Sequence, residues 1–351
     1  MGQSIGIIGA GAWGTAMAMS LARGGHSVQM WALEKDVVES VNNRHENTRY
    51  LPGFALPGTI TASGDLKAVA ADKNFLILAS PSIYLERTMQ GLLDVPNIRD
   101  GTTCIGVLTK GFIPSASGPR LILETLERVL PPVYAHNLVY IAGPSHAEEV
   151  AMGKVTGLIA ASENPMNSIR FREVLKSKGL LVYSSLDVIG VQICAAAKNV
   201  VAIAFGCLAA IAEKSDVFGD NTESLLLAAG LNEIMTIGRA MGATHPETFT
   251  SISGVGDLDV TCRSKFGRNQ RFGQDIIKNN ILDKFENLDD LIARIMEIGY
   301  LPEGVVACKF VYELARRENL KLPICSGLYR ILNKELHPAQ FIEQLLDGVQ
   351  I

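Results

Sequence analysis

A lysine and an asparagine, Lys198 and Asn199, lie in the middle of an apolar, alanine-rich helical pattern over residues 190–205. Lysine is almost never fully buried without a partner, because an isolated ammonium group loses its hydration on leaving water. A lysine held at the edge of a core is suited to proton transfer near neutral pH. Alternatively, its stem packs on the core while its amine reaches solvent. This segment alone does not separate the two interpretations.

A glycine pattern typical of dinucleotide binding lies near the start of the chain. A β-type run over residues 4–8 turns directly into a helical pattern at Gly9, Gly11 and Gly14. At this spacing the first glycine allows a tight turn, the second admits a pyrophosphate, and the third packs helix on strand. The helix N-terminus supplies N–H donors and the positive end of its dipole. We therefore predict a dinucleotide site here, the alternative being a structural glycine turn.

The composition indicates a globular protein of about two domains. Its 351 residues are 48% hydrophobic and 19% charged, which suffices for a large core. The net charge of −4 provides no basic surface for nucleic acid or anionic lipid, so neither partner is expected. Residues 188–212 are nearly long enough to span a bilayer, but a lysine at the centre would be costly there. We predict a buried helix.

Cysteine and histidine usage gives no sign of a metal site or a disulfide framework. The six cysteines are scattered without C-x-x-C spacing, and the six histidines are dispersed. We predict no metal ligands, and we expect a reducing compartment, the cytoplasm.

The first half alternates strand and helix patterns, and the second half is helical. Near-continuous apolar runs with crossover segments between them predict a parallel sheet covered on both faces. These runs are 4–8, 28–31, 75–79, 104–108 and 138–142, extended by 155–160 and 180–183. We predict an α/β fold, with a Rossmann-type doubly wound sheet in a domain over residues 1–185 and an all-helical domain over 186–351.

Small polar residues follow three of the predicted strands, at 80–82, 109–111 and 143–147. Ligands bind outside the carboxyl ends of such strands, so these loops are expected to line a cleft. In the helical half, Asp257 and Thr261 are four residues apart, so one helix face presents a carboxylate and a hydroxyl that could meet Lys198. Arg268 and Asn269 suit a small phosphate, the alternative being a solvated surface loop.

From about residue 4 to residue 345 the chain resembles the NAD(P)-dependent glycerol-3-phosphate dehydrogenase family. The motifs that carry the resemblance are Gly9-x-Gly11-x-Trp13-Gly14-Thr15-Ala16, Lys110-Gly111, Gly143-Pro144-Ser145-x-Ala147-x-Glu149, Gly190-Val191-Gln192 with Lys198-Asn199-Val200, Gly254-Val255-Gly256-Asp257-Leu258 with Thr261-Cys262, and Arg268-Asn269. The family order is kept throughout. The resemblance implies a fold like that of 6-phosphogluconate dehydrogenase.

The resemblance also implies the reaction, reversible hydride transfer between dihydroxyacetone phosphate and sn-glycerol 3-phosphate, serving glycerophospholipid synthesis and redox balance. It makes Lys198 the proton donor and acceptor, with a catalytic set of Lys110, Asn199, Asp257 and Thr261. The implied substrate contacts are Lys110, Gly143, Ser145, Lys198, Asp257, Gly267, Arg268 and Asn269. The implied NAD contacts are Gly9, Ala10, Gly11, Ala12, Trp13, Gly14, Leu33, Lys110, Ala147, Arg268, Leu301 and Glu303. A cytoplasmic homodimer is expected.

NAD(H) is expected to be preferred, with NADP(H) as the alternative coenzyme. Glu34 follows the second β-type run, where a carboxylate accepts from ribose hydroxyls and repels a 2′-phosphate. Leu33 offers that phosphate no donor, while Lys35 or Arg49 turned inward would reverse the preference. Two other functions stay open. A β-hydroxyacid dehydrogenase shares the plan but spaces its lysine and asparagine as K-x-x-x-N, and a non-catalytic NAD-sensing protein would keep only the turn.

Overall fold

The computed structural model describes residues 2–115, 118–264 and 267–341. The chain divides into two compact units. The first unit comprises Met1–Ile113 and Arg120–Val188, and the second comprises Pro114–Pro119 and Ile189–Ile351. The chain therefore passes from the first unit to the second between Val188 and Ile189. One short segment, Pro114–Pro119, also belongs to the second unit.

The first unit contains an eight-stranded sheet and a separate two-stranded hairpin. The strands are β1 Ser4–Ile8, β2 Ser27–Trp31, β3 Glu46–Asn47, β4 Leu51–Ala55, β5 Ile60–Ser63, β6 Phe75–Leu78, β7 Cys104–Val107, β8 Val139–Ala142, β9 Thr156–Ala161 and β10 Leu180–Ser185. The sheet order is β10-β9-β8-β7-β6-β1-β2-β5, and β3 pairs with β4. Counted from β5 to β8, this is the doubly wound order, with the strand order reversing beside β1.

Buried apolar strands explain this sheet. Ile5 and Ile7 of β1 are fully buried, as expected for a central strand covered on both faces. In the parallel register Ile5 lies opposite Val28 on one side and Phe75 on the other. The reversal of strand order beside β1 places a ligand site at the carboxyl end of this strand.

Eight helices accompany these strands in the described residues. They are α1 Ala12–Arg23, α2 Lys35–Arg44, α3 Leu66–Ala70, α4 Ser82–Gln90, α5 Pro96–Arg99, α6 Ile122–Val129, α7 Ala147–Ala151 and α8 Pro165–Leu175. A 3₁₀ turn lies at Pro132–Tyr134. Two of these helices begin at side-chain caps, since Asp65 accepts from the first turn of α3 and Asn164 from that of α8.

The sheet differs from the sequence prediction in two respects. Strand β9 extends the sheet as expected but runs antiparallel to β8. A parallel return needs a crossover helix, and α7, at five residues, is too short to carry the chain back. The edge strand β5 and the β3–β4 hairpin were not predicted, because they are short and β4 contains Pro52 and Gly53.

All the helices and strands assigned in the described residues of the second unit are helices. Its helices are α9 Val188–Ala212, α10 Asp220–Ala240, α11 Glu247–Thr250, α12 Asp257–Arg263, α13 Arg268–Lys278, α14 Leu288–Ala293, α15 Glu303–Arg317 and α16 Pro323–Leu332. A π-helical turn lies at Ile252–Gly256, with 3₁₀ turns at Ile281–Lys284 and Ile295–Ile298. The predicted fold class, a Rossmann-type sheet followed by an all-helical part, is confirmed.

Helix α9 is the core of the second unit. It is long and apolar enough to cross a membrane, but 94% of its most apolar window is buried within the protein. Neighbouring helices approach it closely at glycines. A Cβ atom on Gly273 of α13 would lie 2.0 Å from the carbonyl oxygen of Ile203, and one on Gly304 of α15 would lie 2.4 Å from that of Asn199. These close approaches place α13 and α15 against the lysine-bearing segment of α9.

Candidate active site

The turn between β1 and α1 has the backbone geometry that a dinucleotide needs. Gly9 has a φ of +121°, in the region that favours glycine. A Cβ atom on Gly14 would lie 2.0 Å from the carbonyl oxygen of Gly9, so only glycine lets the helix approach the strand. A Cβ atom on Gly11 would meet nothing within 4 Å. Space for a ligand therefore lies beside Gly11, with Gly9 and Gly14 shaping the turn.

The start of α1 fits the pyrophosphate of NAD. Gly11 caps α1 with extended backbone and no side-chain hydrogen bond, and the first turn holds no acidic residue. Its N–H groups and the positive dipole end are thus suited to an anion. In the described part of the chain, the indole Nε1 of Trp13 is buried without a hydrogen-bond partner. A buried orphan donor of this kind indicates an acceptor that a ligand supplies.

Leu33 and Glu34 follow β2, where residues that contact an adenosine ribose are expected. The Leu33 side chain is 78% exposed and offers no hydrogen bond to a phosphate. Glu34 is half-buried, and its Oε1 accepts a 2.8 Å hydrogen bond from the hydroxyl of Tyr50. Sequence reasoning missed Tyr50, because the tyrosine lies sixteen residues beyond Glu34 in an unpredicted hairpin.

Lys110 meets two of the predicted substrate-contacting residues in the first unit. Its Nζ donates to the carbonyl oxygen of Gly143 at 3.3 Å and to Oγ of Ser145 at 3.5 Å. The Ser145 hydroxyl also donates to the Gly143 carbonyl oxygen at 2.9 Å. Ala147, a predicted cofactor contact, is the first residue of α7 and is buried. The ends of β7 and β8 therefore present an ammonium group and a hydroxyl together.

Lys198 is the centre of a buried polar cluster in the second unit. The lysine is 5% exposed, which excludes the interpretation in which its amine reaches solvent. Its Nζ pairs with the carboxylate of Asp257, which is fully buried, and donates to Oγ1 of Thr261 at 2.9 Å. The Thr261 hydroxyl donates to the Asp257 carbonyl oxygen at 2.6 Å. The contacts expected from the four-residue spacing are present.

The local backbone explains how α12 presents this carboxylate. The π-helical turn at Ile252–Gly256 runs directly into α12, whose first residue is Asp257. Gly254 permits the tight approach, since a Cβ atom there would lie 2.0 Å from the carbonyl oxygen of Phe249. Single π-helical turns occur frequently at functional sites. Asp259 of the same helix is exposed and pairs with Arg263 at 3.0 Å.

A second polar group joins three helices beside the lysine. Asn269 donates through Nδ2 to Oδ1 of Asn199 at 3.0 Å and accepts from the backbone N–H of Gly304 at 2.9 Å. Among the described residues, Nδ2 of Asn199 is buried without a partner. Two hydrogen bonds within the protein thus occupy part of the Asn269 amide, which sequence reasoning did not foresee, while the buried Nδ2 of Asn199 remains available as a donor.

Arg268 is an exposed cation at the start of α13. Its side chain is 56% exposed, and Nη2 lies 3.8 Å from Oε1 of Glu303. Gly267 caps α13, an eleven-residue helix whose first residue is Arg268, and no side-chain cap bonds the N–H groups of its first turn. Leu301 is half-buried just ahead of α15. The pairing of an arginine with a helix N-terminus suits a phosphate.

Two other groups of reactive side chains have structural explanations. Burial raises the pKa of the Cys262 thiol well above its usual range, although Lys198 opposes the shift, so this cysteine is no thiolate nucleophile. Glu127, His136 and Glu163 bring one ligand-type atom each within 4.8 Å of one another. His136 is bonded to both carboxylates: its ring Nδ1 lies 2.8 Å from Oε2 of Glu163, and its backbone N–H donates to Oε1 of Glu127 at 2.8 Å. These two hydrogen bonds explain why the three side chains lie close together.

The doubly wound sheet, its glycine turn and the buried lysine define a dinucleotide-dependent dehydrogenase. Two family models match the chain, the NAD-dependent glycerol-3-phosphate dehydrogenase N-terminus over residues 4–168 and the corresponding C-terminus over 187–343. The chain belongs to the NAD-dependent glycerol-3-phosphate dehydrogenase family, as the motif resemblance predicted.

Individual relatives agree with this family. A glycerol-3-phosphate dehydrogenase of Treponema denticola, described as using NAD(P)+, is 64% identical over 99% of both chains. One from Bacillus cereus is 34% identical, covering 93% of this chain and 90% of the relative. The crystal structure of the Coxiella burnetii glycerol-3-phosphate dehydrogenase is similar with a TM-score of 0.84 at 31% identity, covering 99% of both chains.

Proposed function

We propose that this enzyme catalyses the reversible NAD(P)H-dependent reduction of dihydroxyacetone phosphate to sn-glycerol 3-phosphate. The observation that carries the proposal is the buried cluster of Lys198, Asp257 and Thr261, which holds an ammonium group in one orientation. Reduction of a ketone places negative charge on the carbonyl oxygen, and a positioned ammonium group stabilises and protonates it.

The bound nicotinamide coenzyme supplies the hydride. Gly11 and the N-terminus of α1 in the first unit would hold its pyrophosphate, and Glu34 would accept from the hydroxyls of its adenosine ribose. The resemblance adds contacts from further along the chain. The full proposed set is Gly9, Ala10, Gly11, Ala12, Trp13, Gly14, Leu33, Lys110, Ala147, Arg268, Leu301 and Glu303.

Lys198 moves the proton in this mechanism. In reduction its Nζ donates a proton to the carbonyl oxygen, and in oxidation the neutral amine accepts the proton of the alcohol. Asp257 compensates the ammonium charge, and Thr261 fixes its direction through the 2.9 Å hydrogen bond. Because Lys198 is only 5% exposed, the transfer is shielded from water, which strengthens the electrostatic interaction with the developing charge.

The phosphate of the substrate is assigned to the start of α13. Arg268 supplies a forked cation, Gly267 leads into the helix N-terminus, and Asn269 keeps one amide N–H beyond its bond to Asn199. Asn199 contributes its free buried amide donor. Lys110, Gly143 and Ser145 complete the proposed substrate contacts, supported by their mutual hydrogen bonds and by the resemblance.

The cellular setting is proposed on sequence and family grounds. NAD(H) is proposed as the preferred coenzyme, since Glu34 stands where a 2′-phosphate would be repelled. Scattered free cysteines support a cytoplasmic location, and the net charge of −4 supports an enzyme that binds neither nucleic acid nor membrane. A homodimer and a role in glycerophospholipid synthesis and redox balance follow from the resemblance.

A substrate panel tests the proposed reaction. NADH oxidation is measured with dihydroxyacetone phosphate, with unphosphorylated dihydroxyacetone, and with 2-keto and 3-keto acids. We expect dihydroxyacetone phosphate to have the highest kcat/KM. Faster reduction of a keto acid would instead indicate a β-hydroxyacid dehydrogenase, and NADH binding without turnover of any substrate would indicate a sensing protein.

A further inference from the structure

The β3–β4 hairpin is tied to the glycine turn by one buried side chain. Asn47 of β3 is 0% exposed. Its Nδ2 donates to the carbonyl oxygen of Ala10 at 2.8 Å and to Oγ1 of Thr15 at 2.8 Å. Its Oδ1 accepts from the backbone N–H of Tyr50 at 3.1 Å. Both amide hydrogens and the amide oxygen are therefore bonded, and this side chain ties the hairpin to the turn.

Tyr50 connects Asn47 to Glu34, because its backbone N–H donates to Asn47 and its hydroxyl donates to the Glu34 carboxylate. The tyrosine hydroxyl donates to Oε1 of Glu34 at 2.8 Å. Burial and this hydrogen bond raise the pKa of Tyr50 above its ordinary value, so the hydroxyl keeps its proton and stays a donor. With one carboxylate oxygen bonded to Tyr50, Glu34 loses rotational freedom and presents its other oxygen as an acceptor.

The cation of the same hairpin is directed elsewhere. Nη1 of Arg49 lies 3.3 Å from Oδ2 of Asp36, at the start of α2, and its guanidinium stacks 5.4 Å from the centroid of the Tyr50 ring. The pair is exposed and individually weak. Arg49, the alternative counter-charge for a 2′-phosphate, nevertheless bonds to Asp36 in this structure.

We propose that Tyr50 is the positioning residue that sets coenzyme preference, and that Asn47 couples it to the pyrophosphate turn. Tyr50 keeps Glu34 in place to accept from the ribose hydroxyls of NAD(H) and to repel the 2′-phosphate of NADP(H), which carries about two negative charges. This inference rests on the proposed function in one respect, the use of a nicotinamide coenzyme by this turn.

The test is direct coenzyme binding to the purified full-length protein without substrate. Fluorescence titration gives Kd for NADH and for NADPH, and the measured quantity is their ratio. We expect the wild type to bind NADH more tightly. Tyr50→Phe keeps the ring but removes the donor, and we expect the preference for NADH to fall by about threefold to tenfold, the range for one hydrogen bond. Tyr84→Phe, at an exposed tyrosine, is the matched control and should leave the ratio unchanged.

A second variant separates the two roles. Asn47→Ala removes the tie to the turn, so we expect the Kd values for both coenzymes to rise, with a lower Tm. Wild-type preference for NADPH, or a Tyr50→Phe ratio within twofold of wild type, would overturn the inference. Because no substrate is present, the outcome is independent of the reaction. A protein that prefers NADH but does not reduce dihydroxyacetone phosphate would refute the proposed function and leave this inference supported.

Discussion

The glycine turn of the first unit and the lysine cluster of the second prepare their chemistry by opposite means. The turn is made of backbone, with Gly9, Gly11 and Gly14 removing side chains so that N–H groups face a ligand. The cluster is made of side chains, with Lys198 held by Asp257 and Thr261 from another helix. Binding an anion needs open space and dipoles, whereas moving a proton needs one charged group held in one place.

This contrast predicts different responses to substitution. At the turn, the effect of a glycine-to-alanine substitution on stability depends on whether the added methyl group contacts the backbone or points into open space. In the cluster it depends on whether a buried charge loses its partner, which is costly because the remaining charge stays out of water.

The largest effect is expected at Lys198. Lys198→Met keeps the apolar stem and removes the ammonium group, so turnover should fall by about two to four orders of magnitude, the usual range for a general acid. The free energy of unfolding should also fall, by about 3–5 kcal/mol, because Asp257 is left buried and unpaired.

The double variant Lys198→Met/Asp257→Asn is the control for that loss. It should recover much of the stability while staying inactive, which steady-state kinetics and chemical denaturation together measure. Turnover within a few-fold of wild type in either variant would refute the role of Lys198.

The phosphate contact is the next largest effect. Arg268→Ala removes a charge-assisted hydrogen bond, worth about 1.5–3 kcal/mol, so KM for dihydroxyacetone phosphate should rise by roughly tenfold to a hundredfold. The preference over unphosphorylated dihydroxyacetone should shrink by the same factor. Arg271→Ala is the matched control, since Arg271 lies on the same helix and stacks on Tyr300. Equal effects of the two variants would place the phosphate elsewhere.

A pair of glycine variants tests the turn. Gly14→Ala places a methyl group 2.0 Å from the Gly9 carbonyl oxygen and should destabilise the protein by about 1–3 kcal/mol. Gly11→Ala meets no protein atom within 4 Å, so Tm should stay near wild type while NADH affinity falls by about tenfold. Thermal melts and NADH titration distinguish the two. A Gly11→Ala protein with unchanged affinity would show that the pyrophosphate does not approach this residue.

The smallest effect concerns Glu233, a buried carboxylate remote in sequence from both motifs. It accepts from the backbone N–H groups of Ile324 and Cys325 at the start of α16, at 2.5 and 2.9 Å. Burial raises its pKa from 4.5 to about 7, although those N–H groups oppose the shift. The folded state therefore takes up this proton more readily than the unfolded state.

The stability that Glu233 contributes should be complete below pH 4.5 and lost as the pH rises through about 7. Glu233→Gln should flatten this part of the curve of unfolding free energy against pH. Glu247→Gln, at an exposed glutamate, should leave the curve unchanged. A wild-type curve that rises over this interval would contradict the assignment.

The sequence predicted the features that depend on short spacings. The turn at Gly9–Gly14 is local, and a four-residue spacing on one helix brought Asp257 and Thr261 to the same face. Strand β1 was predicted with the bounds that the structure has, Ser4–Ile8, because the apolar run begins after Gln3 and ends at the glycine turn that starts with Gly9. A partner for Lys198 could also be inferred, since a buried ammonium group requires a group that compensates its charge.

Features that depend on distant pairing could not be predicted. Asn47 contacts the glycine turn across 37 residues, and Asn269 meets Asn199 across 70. An asparagine in a polar segment carries no local signal of either contact, because the same residue type favours turns and caps. The need for glycine at position 304 is visible only in the structure, where α15 packs so closely on α9 that a Cβ atom would lie 2.4 Å from the Asn199 carbonyl oxygen. The sequence therefore indicates chemistry better than it indicates the side chains that position it.

The most direct test of the proposed reaction is to follow the hydride itself. Dihydroxyacetone phosphate is incubated with the enzyme and NADH carrying deuterium on the transferred position, and the product is analysed by mass spectrometry. We expect sn-glycerol 3-phosphate with a single deuterium on C2, formed in proportion to the NADH consumed. NADH consumption without labelled sn-glycerol 3-phosphate, or no consumption at all, would contradict it.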